Sequence, residues 1–382
     1  MKKLGLYLHI PFCLQKCNYC DFCSAPASES VRANYVNALC KHLAALAPQA
    51  RDYTVDTVYF GGGTPTLLSA KDFSRISDTV RAHYRILPDA EITAECNPVT
   101  GAEALFAGMC KAGINRLSIG LQSIHENELK LLGRLHSFAY FENTFLTARR
   151  AGFDNISTDL MFGIPAQSVE SFRETLNTVC DLAPEHISAY GLRVEDGTPF
   201  GRMRKSLPLP SEDEEAEMAE LVATLLPARG YGRYEISNYA KTGYESRHNL
   251  RYWLGEEYLG FGPAAHSFFG GVRFETPADR KAYMANTEKG DFDALFTGHH
   301  TVEGDEARDE YVMLRMRLAD GVDKADFRRR FGTEFENCYG NLSVLVKGGF
   351  LTNTDTCVSF TARGMQVSNA ILSEWLDFGG TK

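Results

Sequence analysis

The chain has 382 residues, of which 44% are hydrophobic and 23% charged, and a net charge of −9. It is long enough for a barrel-sized domain plus a smaller one with a large buried core, and its acidic balance argues against a general nucleic-acid or anionic-membrane surface. No stretch approaches the ~18 uninterrupted apolar residues of a membrane span, and the amino terminus reaches His9 and Pro11 too soon for a secretory signal. Ten cysteines, four of them between positions 13 and 23, point to a reducing compartment, so a cytoplasmic location is expected.

Six apolar runs rich in β-branched or aromatic residues alternate with amphipathic stretches. Strands are expected at Leu4–Ile10, Thr57–Phe60, Glu91–Glu95, Arg116–Leu121, Asn155–Phe162 and His186–Leu192. Helices are expected over Val31–Leu46, Ala70–Tyr84, Gly101–Ala112, Phe141–Ala151 and Ser168–Leu182. Ser168 and Ser211 stand at helix N-cap positions, the latter followed by Glu212, Glu214 and Glu215. This alternation is the pattern of an α/β fold with a parallel sheet. Polar groups gather after successive strands: cysteines after the first, glycines after the second, Glu95 ending the third, Gln122 ending the fourth and Asp159 within the fifth. That favours a partial (β/α)6 TIM-like barrel, because such barrels build their sites at the carboxyl ends of the strands. A Rossmann fold would place G-x-G-x-x-G after the first strand, where this chain has cysteines.

Beyond Gly230 a further strand is expected over Tyr231–Tyr239, then an aromatic, glycine-rich segment from His248 to Phe269. From Asp305 the pattern reads as three helices, a hairpin around Gly348–Phe360 and a last helix from Thr361 to Leu376. This is a mostly helical, winged-helix-like module with a core of Leu314, Leu318, Phe327, Phe331, Leu345 and Phe350. The expected divisions are a core over 1–235, a connecting segment over 236–300 and a carboxyl-terminal module over 301–382.

Cys13, Cys17 and Cys20 stand at C-x3-C-x2-C spacing on one short loop. Three such thiolates can hold three corners of a four-iron cluster and leave the fourth iron open to a small molecule. No second short-spaced pair of Cys or His completes a zinc site. Gly61-Gly62-Gly63 permits close backbone approach, either to grip a ligand with amides and carbonyls or simply to turn tightly. Glu95 and Asp159 are acidic residues in apolar strands and need partners. Those partners are a ribose diol, an ammonium or a buried Arg in a ligand site, or internal salt bridges that close the barrel. Gln122 offers a donor and an acceptor, and Arg134 can fork onto a carboxylate. The block His248-Asn249-x-x-Tyr252-Trp253, with His266 beyond it, gathers imidazole nitrogens and flat aromatics that can ligate and stack on a bound group. The alternative is a buried His–aromatic cluster capping the barrel mouth.

The cysteine loop, with Tyr19 before its third cysteine and Gly61-Gly62-Gly63-Thr64-Pro65-Thr66 after the next strand, resembles the radical S-adenosylmethionine (SAM) superfamily. Tyr7-Leu-His-Ile-Pro-Phe-Cys13, Glu95-Cys-Asn-Pro98 and Gly120-Leu-Gln-Ser123 narrow the resemblance to the oxygen-independent coproporphyrinogen III oxidase group, from about Tyr7 to about Trp375. The resemblance implies a [4Fe–4S] cluster on Cys13, Cys17 and Cys20, and SAM contacts from Tyr7, Gly62, Gly63, Thr64, Glu95, Gln122, Arg134 and Asp159. The H-N-x-x-Y-W block resembles the signature of the HemW-type heme chaperone branch, with His248, Tyr252, Trp253 and His266 as heme candidates. Two departures from the oxidases point the same way. Phe22 stands where their motif ends in CxC, which leaves Cys23 as a bystander, and only six residues precede Tyr7, where they carry an extension over the site.

The expected function is to bind heme, in a protein carrying a cluster and SAM, and to transfer it to an acceptor protein. A reductant for the cluster and peripheral membrane contact are the further expected partners; coproporphyrinogen III dehydrogenase activity is not expected. The alternatives are an oxidase that decarboxylates coproporphyrinogen III propionates through a 5′-deoxyadenosyl radical, and a radical SAM enzyme with an unrelated small substrate.

Overall fold

In the computed structural model, which describes residues 1–376, all six expected strands form. They are β1 (Lys2–Ile10), β2 (Tyr53–Gly62), β3 (Ile86–Cys96), β4 (Arg116–Gln122), β5 (Ile156–Phe162) and β6 (His186–Gly191). They pair in that order, all parallel. The connecting helices are α1 (Glu29–Leu46), α2 (Ala70–His83), α3 (Glu103–Ala112), α4 (Glu126–Leu131), α5 (Phe138–Ala151) and α6 (Val169–Leu182). After β6 come α7 (Pro199–Met203) and α8 (Glu212–Ala228). The expected caps are made: Ser168 and Ser211 each accept from the third backbone N–H of their helix in a capping box.

Alternation along the strands separates two environments. Leu4, Leu6, Leu8 and Ile10 of β1 are fully buried, as are Ile156 and Leu160 of β5, in the apolar cluster they share with the helices. Each such side chain contributes about 1.5–3 kcal/mol. The intervening residues of β2 to β6, among them Tyr59, Glu95, Ser118, Asp159 and Ser188, line one common cavity. The sheet is therefore curved around a polar interior, as a partial barrel is.

Several expectations need correction. The strand expected over Tyr231–Tyr239 is instead a hairpin of β7 (Gly232–Arg233) and β8 (Asn238–Ala240), β8 antiparallel to β6. The segment 236–300 does not merely connect. It forms α9 (Arg247–Trp253), β9 (Tyr258–Phe261), β10 (His266–Phe269), β11 (Val272–Glu275) and β12 (Thr297–Thr301). β9 pairs parallel with β1, so these strands extend the main sheet, and Leu259, Phe261, Tyr283 and Leu295 join the same buried cluster.

The carboxyl-terminal module has its own core, built on Val312, Met316, Val322, Phe327, Phe335 and Leu372, with Phe331, Leu345 and Phe350 packed partly buried against it. Its strands are β13 (Val322–Asp323), β14 (Leu351–Asn353) and β15 (Cys357–Phe360). The expected last helix is two, Ala362–Gln366 and Ser368–Trp375. The expected core members Leu314 and Leu318 are not part of this core, and Leu314 faces a cleft with Trp253. Residues 377–382 of the expected 301–382 division lie outside the described residues. No described helix is long and apolar enough to cross a membrane.

Candidate cofactor cavity

The cysteine loop leaves β1 and is tied down by other parts of the chain. Gly63 N–H donates to Ile10 O at 2.9 Å, Thr64 N–H to Phe12 O at 2.6 Å, and Asn18 N–H to Leu132 O at 3.0 Å. His9 Nε2 bonds Cys23 O at 2.8 Å, and its Nδ1 lies 3.1 Å from the Tyr7 hydroxyl. A carbonyl only accepts, so Nε2 carries the proton and Nδ1 accepts from Tyr7. Burial lowers the His9 pKa and favours this neutral ring.

Gly62 makes room for that ring. Its φ is +107°, and a Cβ there would lie 2.4 Å from His9 Cε1. A Cβ on Gly63 would lie 2.5 Å from Phe12 O. Of the Gly61-Gly62-Gly63 run expected to grip SAM, the Gly62 amide is consumed by Glu95 Oε2 at 3.0 Å and the Gly63 amide by Ile10 O, as is the adjoining Thr64 amide by Phe12 O. The glycine run is what lets the end of β2 approach the cysteine loop.

A cavity of about 430 Å³ opens between this loop and the carboxyl ends of the strands. Cys13, Cys17 and Cys20 line it, as do Gly62, Gly63, Thr64, Glu95, Gln122, Arg134 and Asp159. Tyr7 does not; it is stacked on Tyr59 at 6.2 Å. Nor does Cys23, whose Sγ faces Ala278 O at 3.7 Å. All three lining cysteines are free and partly exposed. Among the described residues no three His, Cys, Asp or Glu side chains converge closely enough to chelate one metal ion. The thiols thus face a shared space rather than a point, and three soft donors around such a space fit an iron–sulfur cluster.

The carboxylates are held by neutral groups. Asp159 accepts from Ser118 at 3.0 Å, from Ser188 at 2.8 Å and from Ser157 at 3.3 Å. Glu95 accepts from the Tyr59 hydroxyl at 3.0 Å as well as from Gly62. The expected alternative of internal salt bridges is not what forms: among the described residues neither carboxylate has an ion pair. Burial, and secondly the charge of Asp159, push the Glu95 carboxyl up to about 7. Gln122 sits at a register shift after Gly120 with φ +73°, at the cavity wall. Arg134 Nη2 donates to Gly120 O at 2.5 Å, and its Nη1 lies 3.7 Å from Cys17 Sγ. These side chains offer negative charge, hydroxyl-backed oxygens and an arginine in one space, which fits a ligand with cationic, diol and carboxylate parts.

The H-N-x-x-Y-W block lies at the opposite end of the strands from the cysteines. Glu91 accepts from the backbone N–H groups of Arg247 and His248 at 3.0 and 3.1 Å, fixing the start of α9. His248 is then buried, with Nδ1 2.8 Å from Thr57 Oγ1 and Nε2 2.8 Å from the Tyr252 hydroxyl. Its ring stacks on Tyr59 at 5.2 Å. Burial, then the charges of Arg251 and Arg116, lower its pKa to about 3. Both nitrogens are engaged, so His248 and Tyr252 are not placed to meet heme. The alternative of a buried His–aromatic cluster is the one that forms, at the barrel floor rather than its mouth. Trp253 faces a separate cleft of about 170 Å³. His266 is 67% exposed on β10, Nδ1 3.3 Å from Glu275 Oε2.

Sequence reasoning missed His9, Tyr59, Arg116 and Asn249, which surround or line the cavity. Strand alternation could have placed Tyr59 and Arg116 on the inner face, two residues from Gly61 and Ser118.

A model of the radical SAM superfamily matches residues 7–179, and one of the HemN C-terminal domain matches residues 302–367. The heme chaperone HemW of Bacillus subtilis (strain 168) is 35% identical over 375 residues, 97% of this chain and 98% of that one. The heme chaperone HemW of Escherichia coli (strain K12) is also 35% identical over 375 residues, covering 98% of each chain. The solved coproporphyrinogen III oxidase (HemN) from Escherichia coli superposes with a TM-score of 0.87 at 23% identity, over 99% of this chain and 91% of that one, which speaks to the fold. The chain belongs to the radical SAM superfamily and, within it, to the HemW family.

Proposed function

We propose that this protein binds heme and hands it to an acceptor protein, with a [4Fe–4S] cluster on Cys13, Cys17 and Cys20 and SAM against Glu95, Gln122, Arg134 and Asp159. The observation that carries this reading is the match of nearly the whole chain to relatives named as heme chaperones. When bound, a three-thiolate cluster and SAM supply one-electron chemistry. The chain's own residues then have distinct tasks. The serines around Asp159 and the Tyr59 hydroxyl at Glu95 aim carboxylate oxygens without neutralising them. Arg134 bridges the cysteine loop and β4. For heme iron, His266 is the accessible one of the two candidate histidines, its Nδ1 facing Glu275. The reading requires a cluster reductant and an apo-acceptor, in the cytoplasm or at a membrane surface.

Anaerobic reconstitution tests the cluster. Cys13→Ala, Cys17→Ala and Cys20→Ala should each lose it, while Cys23→Ala keeps about four irons per chain. Heme titration should give a Soret band that shifts in His266→Ala, whereas His248→Ala should chiefly lower thermal stability. Formation of protoporphyrinogen IX from coproporphyrinogen III with consumption of SAM would overturn the chaperone reading in favour of the oxidase.

A further inference from the structure

At the floor of the main cavity stands a cation that, among the described residues, makes no ion pair. Arg116 enters from the start of β4 and is only 2% exposed, and its Nε has no hydrogen-bond partner. Among the described residues its guanidinium makes neither an ion pair nor a hydrogen bond. The groups that feel its charge include neutral rings, Tyr59, His186, Tyr234 and His248. Glu95 and Asp159 do not satisfy it, since their bonds go to Tyr59, Gly62 and serines. A buried guanidinium is costly unless an anion meets it. Asn249 also lines this cavity, and its side-chain amide makes no hydrogen bond among the described residues. It is the second residue of the H-N-x-x-Y-W block, so what that block gives the cavity is an amide, its histidine being locked away.

We infer that Arg116 and Asn249 form a carboxylate receptor at the cavity floor, which takes a carboxylate arm of a bound ligand. A planar guanidinium donates two parallel N–H groups to the two oxygens of a carboxylate, and the amide adds a third donor. Two ligands of the proposed function carry such an arm: heme, through its propionates, and SAM, through its amino-acid end. The identity of the carboxylate rests on that proposed function; the receptor itself does not.

The experiment uses the reconstituted full chain as wild type, Arg116→Gln and Asn249→Ala. Heme, heme dimethyl ester, SAM and decarboxylated SAM are the probes, each followed by equilibrium binding, with circular dichroism and iron content as controls. Arg116→Gln should weaken one ligand at least about tenfold. Removing that ligand's carboxylate should weaken wild type by a similar factor and the variant no further. Loss seen with heme and its ester identifies a propionate; loss seen with SAM and its decarboxylated form identifies the amino-acid carboxylate. Wild-type affinity of both variants for all four probes overturns the receptor. Should Arg116→Gln fail to fold, the partly exposed Asn249→Ala decides: a loss of about threefold or more that disappears with the esterified or decarboxylated probe supports the receptor, and no loss sinks it. If wild type ignores heme yet discriminates the two SAM forms in an Asn249-dependent way, the heme reading fails and the receptor stands.

Discussion

Glu95 shows how one buried side chain couples folding to ligand charge. Its carboxyl, raised to about 7 by burial and by Asp159, is protonated in the fold at pH values where an unfolded glutamate is ionised. The stabilisation is present below the usual glutamate range and is lost as pH rises toward 7. A cationic ligand asks for the opposite state, the carboxylate. SAM affinity should therefore fall as pH drops below about 7, and Glu95→Gln should bind more weakly and lose that pH dependence. Equilibrium dialysis across about pH 6 to 8.5 checks this, and a parallel profile in the variant would remove Glu95 from the site. Gly62 is the second decisive position. Its positive φ and the 2.4 Å approach of His9 leave no place for a methyl. Gly62→Ala should cost about 1–3 kcal/mol in denaturant unfolding and retain less iron, because His9 anchors the cysteine loop through Cys23 O. The glycines and cysteines were legible in the sequence as motifs. His9 was not, since a lone histidine in an apolar strand has no period to betray its partner.

At the level of elements, β1–β6 could be read because each carries several apolar residues followed by an amphipathic helix. α9 and β9–β12 could not. They span four to seven residues each, and β9 exists as a strand through its pairing with β1, far away in sequence. What fixes α9 against β1 and β2 is a buried ion pair. Arg251, 2% exposed, meets Asp56, and also bonds Glu257 O at 3.2 Å. Gly5 accommodates it, since a Cβ there would lie 2.6 Å from Arg251 Cδ. Removing one partner of such a pair leaves the other buried and unpaired. Arg251→Met should destabilise by about 3–5 kcal/mol in guanidinium unfolding. A loss below about 1 kcal/mol would mean that Lys3 and Arg247, within 3.7 and 4.0 Å of Asp56, already neutralise it.

For the whole molecule, composition revealed two modules but nothing of their joint, because the contacts across it are single residues from distant segments. One is a two-pronged ion pair: Arg273 on β11 places Nε and Nη2 2.8 and 2.7 Å from the oxygens of Glu310 on the helix Gly304–Arg315. Another is the hydrogen bond from Ala319 N–H to Tyr234 O at 3.0 Å. Beside the fork lies the cleft lined by Trp253, Leu314 and Phe331. The cysteine loop and the carboxylates lie in the other module, so weakening this joint should spare them. Arg273→Ala removes a half-buried fork worth about 1 kcal/mol. Amide exchange in the helix 304–315 should accelerate about threefold to fivefold if that helix opens by leaving the sheet. Iron content and SAM affinity should be unchanged. Unaltered exchange would assign the joint to the apolar contacts of Trp253, whereas loss of iron would show that the carboxyl-terminal module supports the cysteine loop through the sheet.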